Sequence, residues 1–170
     1  MTTLGTALDL TATELSVEAF LPADDYHRRG ATVAGMSSAS YAMPLRVRYV
    51  ECDMQGRVFN AHYLTWVDMA HTEALRDVAG GYAAMTDAGI DVVVAAAELS
   101  FRRPATFDDE LVIEVRLAEP GNTSLRSEFT ILRGDELIAE CVMTHVCVDA
   151  ETYLKTPWPD WFRRQLAERA

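Results

Sequence analysis

Hydrophobic and polar positions first fall into register around residue 45. Leu45, Val47 and Tyr49 alternate with Arg46 and Arg48, the period of a half-buried strand. Cys52-Asp-Met-Gln-Gly-Arg57 breaks that alternation and carries Gly56, so it reads as a loop. Asn60 is a residue type that caps helices. Tyr63, Leu64, Val67, Ala70, Ala74, Leu75 and Val78 then recur at helical spacing, and Gly80-Gly81 ends the run. Apolar or small residues cover more than half of this helix, which predicts a central, largely buried one. Residues 82–87 add room for one more turn. Past Gly89 the period changes to that of strands, over 90–103, 110–118, 123–132 and 136–148. Pro104 with Asp108-Asp109, Pro120-Gly-Asn122 and Arg133-Gly-Asp135 separate them. The last three runs are closely spaced and are expected to pair antiparallel. Pro157 and Pro159 precede a short amphipathic helix carrying Trp161, Phe162 and Leu166. One strand, a long helix and four strands predict an α+β fold with a sheet curled around one helix.

Residues 1–40 differ in texture. Thr11-Ala-Thr-Glu14 has capping-box spacing, and Leu15, Val17, Phe20 and Leu21 could line one side of a short helix ended by Pro22. Gly35-Met-Ser-Ser-Ala-Ser40 follows as a small, polar run. The expectation is an N-terminal extension over 1–40, helix then linker, with the folded domain over 41–170.

Composition narrows the partners. The 170 residues are 49% apolar and 24% charged, as in globular domains, and the net charge is −11. That balance disfavours nucleic acid, whose affinity comes from cations displacing counterions, and it disfavours anionic membrane surfaces. The first 20 residues hold no Lys or Arg, so no secretory signal is expected. No run approaches the length of a membrane span. Three cysteines, Cys52, Cys141 and Cys147, do not look like a disulfide framework and fit a reducing cytoplasm. Cys141, His145 and Cys147 share one face of a strand. Four residues of strand span ~13 Å, so this set does not close around one metal ion. No cofactor is expected.

The segment Val47-Arg-Tyr-Val-Glu-Cys-Asp-Met-Gln-Gly-Arg-Val-Phe-Asn-Ala-His-Tyr63 resembles the first strand, loop and helix start of the 4-hydroxybenzoyl-CoA thioesterase-like family, the hotdog-fold acyl-CoA thioesterases. Asp53, Gly56, Val58, Asn60 and Tyr63 match that family's pattern. Leu99-Ser-Phe-Arg-Arg-Pro-Ala-Thr-Phe-Asp-Asp109 and Thr144-His-Val-Cys-Val-Asp149 resemble two of its later strands and turns. The resemblance spans about residues 43–160. Arg57 stands where the family commonly has His, and Asp108-Asp109 where Gly-Asp is usual.

The resemblance implies a hotdog fold and thioester hydrolysis, with Asp53 as nucleophile or as general base for water; either suits a carboxylate. It implies a role for Asn60 and Tyr63 beside it, and contacts from Gly56 and Val58. If the helix starts at Asn60, the amides of Ala61, His62 and Tyr63 have no intrahelical acceptor and favour negative charge. Donors aimed at a developing oxyanion are worth ~3 kcal/mol each. Asp53 lies seven residues before Asn60, so one pocket can contain both. The His62 side chain is expected to face away, His71 to be a core or interface residue, and Glu73 to be a weaker candidate base. Arg102 or Arg103 is expected to meet the phosphates of coenzyme A. The family also implies a homodimer or homotetramer with sites at the interface, and Ala95, Ala96 and Ala97 leave room beside it. Acyl-carrier-protein hydrolysis, dehydration and non-catalytic acyl-CoA binding are the competing readings; the chain's acidity argues against an acidic carrier partner.

Overall fold

The computed structural model describes residues 38–169. Strand β1 (Ser38–Arg46) is followed by a 3-10 turn at Tyr49–Glu51, then by helices α1 (Asn60–Ala79) and α2 (Tyr82–Asp87). Strands β2 (Ile90–Phe101), β3 (Glu110–Ala118), β4 (Ser124–Arg133) and β5 (Glu136–Asp149) come next, followed by α3 (Asp160–Ala167). The sheet runs β1-β3-β4-β5-β2, antiparallel at every pairing. This is the hotdog arrangement: a five-stranded sheet around one long helix.

Alternate residues of β3 and β4 are buried. Leu111, Ile113, Val115 and Leu117 of β3 and Leu125, Phe129 and Ile131 of β4 are buried in one core with Trp66, Val67, Ala70 and Ala74 of α1. Gly80 ends α1 in the left-handed conformation (φ 75°) with its N–H on Arg76 O, a conformation that a side chain would oppose. From α3, Phe162 and Leu166 join the same core, and Trp158 stacks on Phe162 with ring centroids 4.3 Å apart.

Three expectations are corrected. Residues 38–40 belong to β1, paired with Ala118, Leu117 and Arg116. Backbone hydrogen bonds need no apolar side chains, so a small polar run can still be strand. The alternation also does not continue to Tyr49, which lies in the 3-10 turn and is 80% exposed. There the Glu51 carboxylate accepts the Arg48 N–H at 2.7 Å and curls the chain out of the strand. Asn60, finally, is not the cap: Phe59 holds the cap position with extended backbone, and Asn60 is the first helical residue. The helix expected near Thr11–Glu14 and the rest of residues 1–37 lie outside the described residues.

Candidate active site

Asp53 begins a tight hairpin. Its N–H donates to Arg57 O at 2.8 Å, its carbonyl accepts the Gly56 N–H at 3.0 Å, and Cys52 bridges Val58. The Asp53 Oδ1 accepts the Gln55 N–H at 2.8 Å, an Asx turn. The hairpin turns at Gly56 (φ 72°), which has nothing within 4 Å of where a Cβ would sit; the dihedral alone calls for glycine. Asp53 is exposed, and its Oδ2 takes no hydrogen bond among the described residues. The local turn and an available carboxylate oxygen therefore coexist in one side chain.

The hairpin is fastened to the start of α1. Phe59 N–H donates to Glu51 O at 2.9 Å, one residue ahead of the helix. With Phe59 as the cap, its carbonyl accepts the first bonds of α1, and His62 N–H already reaches it at 3.0 Å. The amides that helix geometry leaves over are thus those of Asn60 and Ala61, one residue earlier than expected from the sequence. Both residues are exposed, and Asn60 makes no side-chain cap bond. His62 is half-buried, its ring edge-on to Phe59 at 6.2 Å.

A third segment, residues 102–109, closes the assembly. Val58 N–H donates to Ala105 O at 2.9 Å, and Ala105 N–H donates to the Tyr63 hydroxyl at 3.1 Å. Tyr63 is buried between Trp66 and Phe101, each 5.1 Å away by ring centroids. Burial holds its phenol above the ordinary pKa. The Val58 side chain is core, so its contribution to the site is its backbone.

Glu51 and Trp66 were not singled out by the sequence. Glu51 is 1% exposed, yet its carboxylate accepts from Arg48 N–H, from Arg48 Nη2 at 2.7 Å and from Trp66 Nε1 at 3.0 Å. Burial alone would raise its pKa; the Arg48 and Trp66 hydrogen bonds and the Arg48 charge outweigh it and leave the carboxyl below its usual range. A Glu-to-Trp hydrogen bond across 15 residues leaves no periodic mark, so only the indole's polar handle hinted at a partner.

Arg102 Nε pairs with Glu140 at 3.0 Å and Arg103 Nε with Glu136 at 3.3 Å, so carboxylates of β5 already meet both. Arg57 is exposed and has no carboxylate partner among the described residues. Glu73 is ion-paired to Arg76. His71 is buried and stacks on His145, with centroids 3.7 Å apart and planes 2° apart. Burial lowers His71 to about 3, helped by the His145 charge, and burial lowers His145 to about 4. Cys141 and Cys147 are pushed up to about 11 by burial, which keeps them as thiols.

A carboxylate on the hairpin leading into α1, and two amides there without an acceptor among the described residues, suit attack on a carbonyl. The family model for the thioesterase-like superfamily matches residues 47–166, from the end of β1 into α3. The chain belongs to that superfamily. It is a thioester hydrolase by class. The acyl-CoA thioester hydrolase YbgC of Escherichia coli is 30% identical over 115 residues, covering 67% of this chain and 86% of that one. The 1,4-dihydroxy-2-naphthoyl-CoA hydrolase of Synechococcus elongatus is 23% identical over 131 residues, covering 74% and 96%. The solved structure of the hypothetical protein TT1821 from Thermus thermophilus superposes with a TM-score of 0.69 at 28% identity, covering 76% and 98%. The matched region contains every element of the site. No helix among the described residues is long and apolar enough to cross a membrane.

Proposed function

We propose that this thioester hydrolase acts on acyl-CoA, releasing the free acid and coenzyme A, with Asp53 as the catalytic carboxylate. The observation that carries this is the fastening of the Asp53 hairpin to the first turn of α1 through Phe59 N–H and Glu51 O. It gives an attacking oxygen and the Asn60 and Ala61 amides a common frame. The carbonyl oxygen would dock at those amides, where donors and helix dipole favour the developing negative charge. Asp53 Oδ2 then either attacks the carbonyl carbon or takes a proton from an attacking water. In the first case the C–S bond breaks, the thiolate leaves, and an acyl anhydride on Asp53 is hydrolysed. In the second the tetrahedral adduct expels the thiolate directly. The Asn60 side chain would contact the reacting group, and Tyr63 would act by holding Ala105 against Val58. The acyl-CoA substrate is supported by the names of the relatives.

Assembly enters the same proposal. Strand β2 pairs only with β5 among the described strands, and residues 93–98 are exposed one after another, Val93 and Val94 by 38% and 51%. An open edge with apolar residues on both faces is a template for pairing with another chain. A second copy there would form a homodimer with β2 beside β2.

Free-thiol release from short, long, branched and aromatic acyl-CoAs tests the activity. Asp53→Asn and Asp53→Ala are expected to lower kcat by at least ~100-fold. Near-normal turnover in a folded Asp53→Ala protein would remove Asp53 from the mechanism. Tight acyl-CoA binding without turnover in the wild type would favour a non-catalytic binding protein.

A further inference from the structure

The geometry points to Glu51 as the positioning residue that sets the distance between the Asp53 carboxylate and the α1 amides, with Trp66 as its anchor in the helix. This inference rests on the hydrolase reading above. Six hydrogen bonds carry it. The Glu51 carboxylate accepts from Trp66 Nε1 at 3.0 Å, which ties it to the second turn of α1. The same carboxylate accepts from Arg48 N–H, Nε and Nη2 at 2.7, 3.1 and 2.7 Å, which ties it to the residue that caps the 3-10 turn after β1. Its carbonyl accepts the Phe59 N–H, immediately ahead of Asn60 and Ala61. Its N–H donates to Arg48 O at 3.0 Å. Every polar group of Glu51 is therefore engaged, and it stands two residues from Asp53.

The arrangement couples two parts that carry the chemistry. Asp53 lies on a short exposed hairpin, where small rotations of Cys52 or Asp53 would swing its carboxylate. The amides belong to a helix held by the core. Glu51, two residues ahead of Asp53, bonds to α1 twice, through its side chain to Trp66 and through its carbonyl to the cap residue Phe59; Val58, Ala105 and Tyr63 form the other link from hairpin to helix. A displacement of ~1 Å between reacting groups can cost ~100-fold in rate without weakening binding. Loss of this tether should therefore appear in kcat and leave KM alone.

Two substitutions isolate the tether. Glu51→Gln keeps the volume and removes the charge that holds Arg48 N–H and its guanidinium. Trp66→Phe keeps an aromatic ring in the core and removes only the N–H donor and part of the ring. Trp158→Phe is the matched control: Trp158 is also buried, but its Nε1 has no hydrogen-bond partner among the described residues and it packs on α3. With acyl-CoA as substrate, and each protein assayed ~10 °C below its own Tm, Glu51→Gln and Trp66→Phe should lower kcat at least ~10-fold. Their KM should stay within about twofold, and Trp158→Phe should leave both constants within about twofold of wild type. Equal kcat in Trp66→Phe and Trp158→Phe would overturn the assignment, since both lose the same ring volume. Should Glu51→Gln fail to fold, the two tryptophan variants decide. A wild type without hydrolysis would instead count against the hydrolase reading. In that case hydrogen exchange at the Phe59 amide still tests the tether: faster exchange in Trp66→Phe than in Trp158→Phe supports it, and equal exchange refutes it.

Discussion

Gly56 marked the loop in the sequence and the family resemblance singled out Asp53; in the structure the same two residues serve a tight hairpin, which needs one residue that tolerates φ 72° and a short acceptor beside it. Gly56→Ala should cost about 1–2 kcal/mol through the left-handed backbone, read as a lowered urea midpoint. Tyr63 stood out in the sequence as an apolar-face helix residue and as a match to the family pattern; its hydroxyl accepts the buried Ala105 N–H. Tyr63→Phe strands that donor and should cost about 1–3 kcal/mol by urea unfolding. Arg102 and Arg103 read, from the sequence, as cations on a strand end that could meet a phosphate. Glu140 and Glu136 sit beside them because β2 and β5 are neighbours, which no local pattern announces. Glu51 escaped notice for the same reason: it is one of 26 acidic residues and looks like any other until its partners are in place.

At the scale of elements, α1 and the sheet meet through the histidine pair. His71 of α1 lies flat against His145 of β5, with Ser127 Oγ 3.3 Å from His145 Nδ1 and Phe129 edge-on to His71. Both imidazoles are depressed in the folded state, to about 3 and about 4, against an ordinary 6.5. Between those values the unfolded chain binds more protons, so stability is full above pH 6.5 and falls as the pH drops toward 4. The slope should reach roughly 1.4 kcal/mol per pH unit for each histidine. Urea unfolding at about pH 7 and about pH 5 measures it, and replacing His71 by Leu should flatten the dependence. The helix and the strands were legible because packing against one core imposes periods of about 3.6 and about 2 on their residues. Tyr49 broke that rule because the chain beyond Arg46 enters a 3-10 turn fastened by several hydrogen bonds between Arg48 and Glu51.

Over the whole molecule, β2 forms one edge of the described sheet and pairs with β5 alone among the described strands. A register shift between Val94 and Ala96 marks its middle, and charged side chains that would blunt an edge are sparse there. The protein should sediment as a dimer, and Val94→Arg should shift it to monomer by placing unpaired charge on the edge; a wild-type monomer at micromolar concentration would contradict the pairing. Membership of the superfamily was legible in the residues alone, because it resides in short motifs in a fixed order. Element type was legible there too, because burial on one face writes a period into the chain. What only the tertiary structure decided were the pairings between distant residues: Glu51 with Trp66, Tyr63 with Ala105, His71 with His145, and the two arginines with their carboxylates. A hydrogen bond or a stacked ring depends on position and orientation in space, and neither is a function of spacing along the sequence.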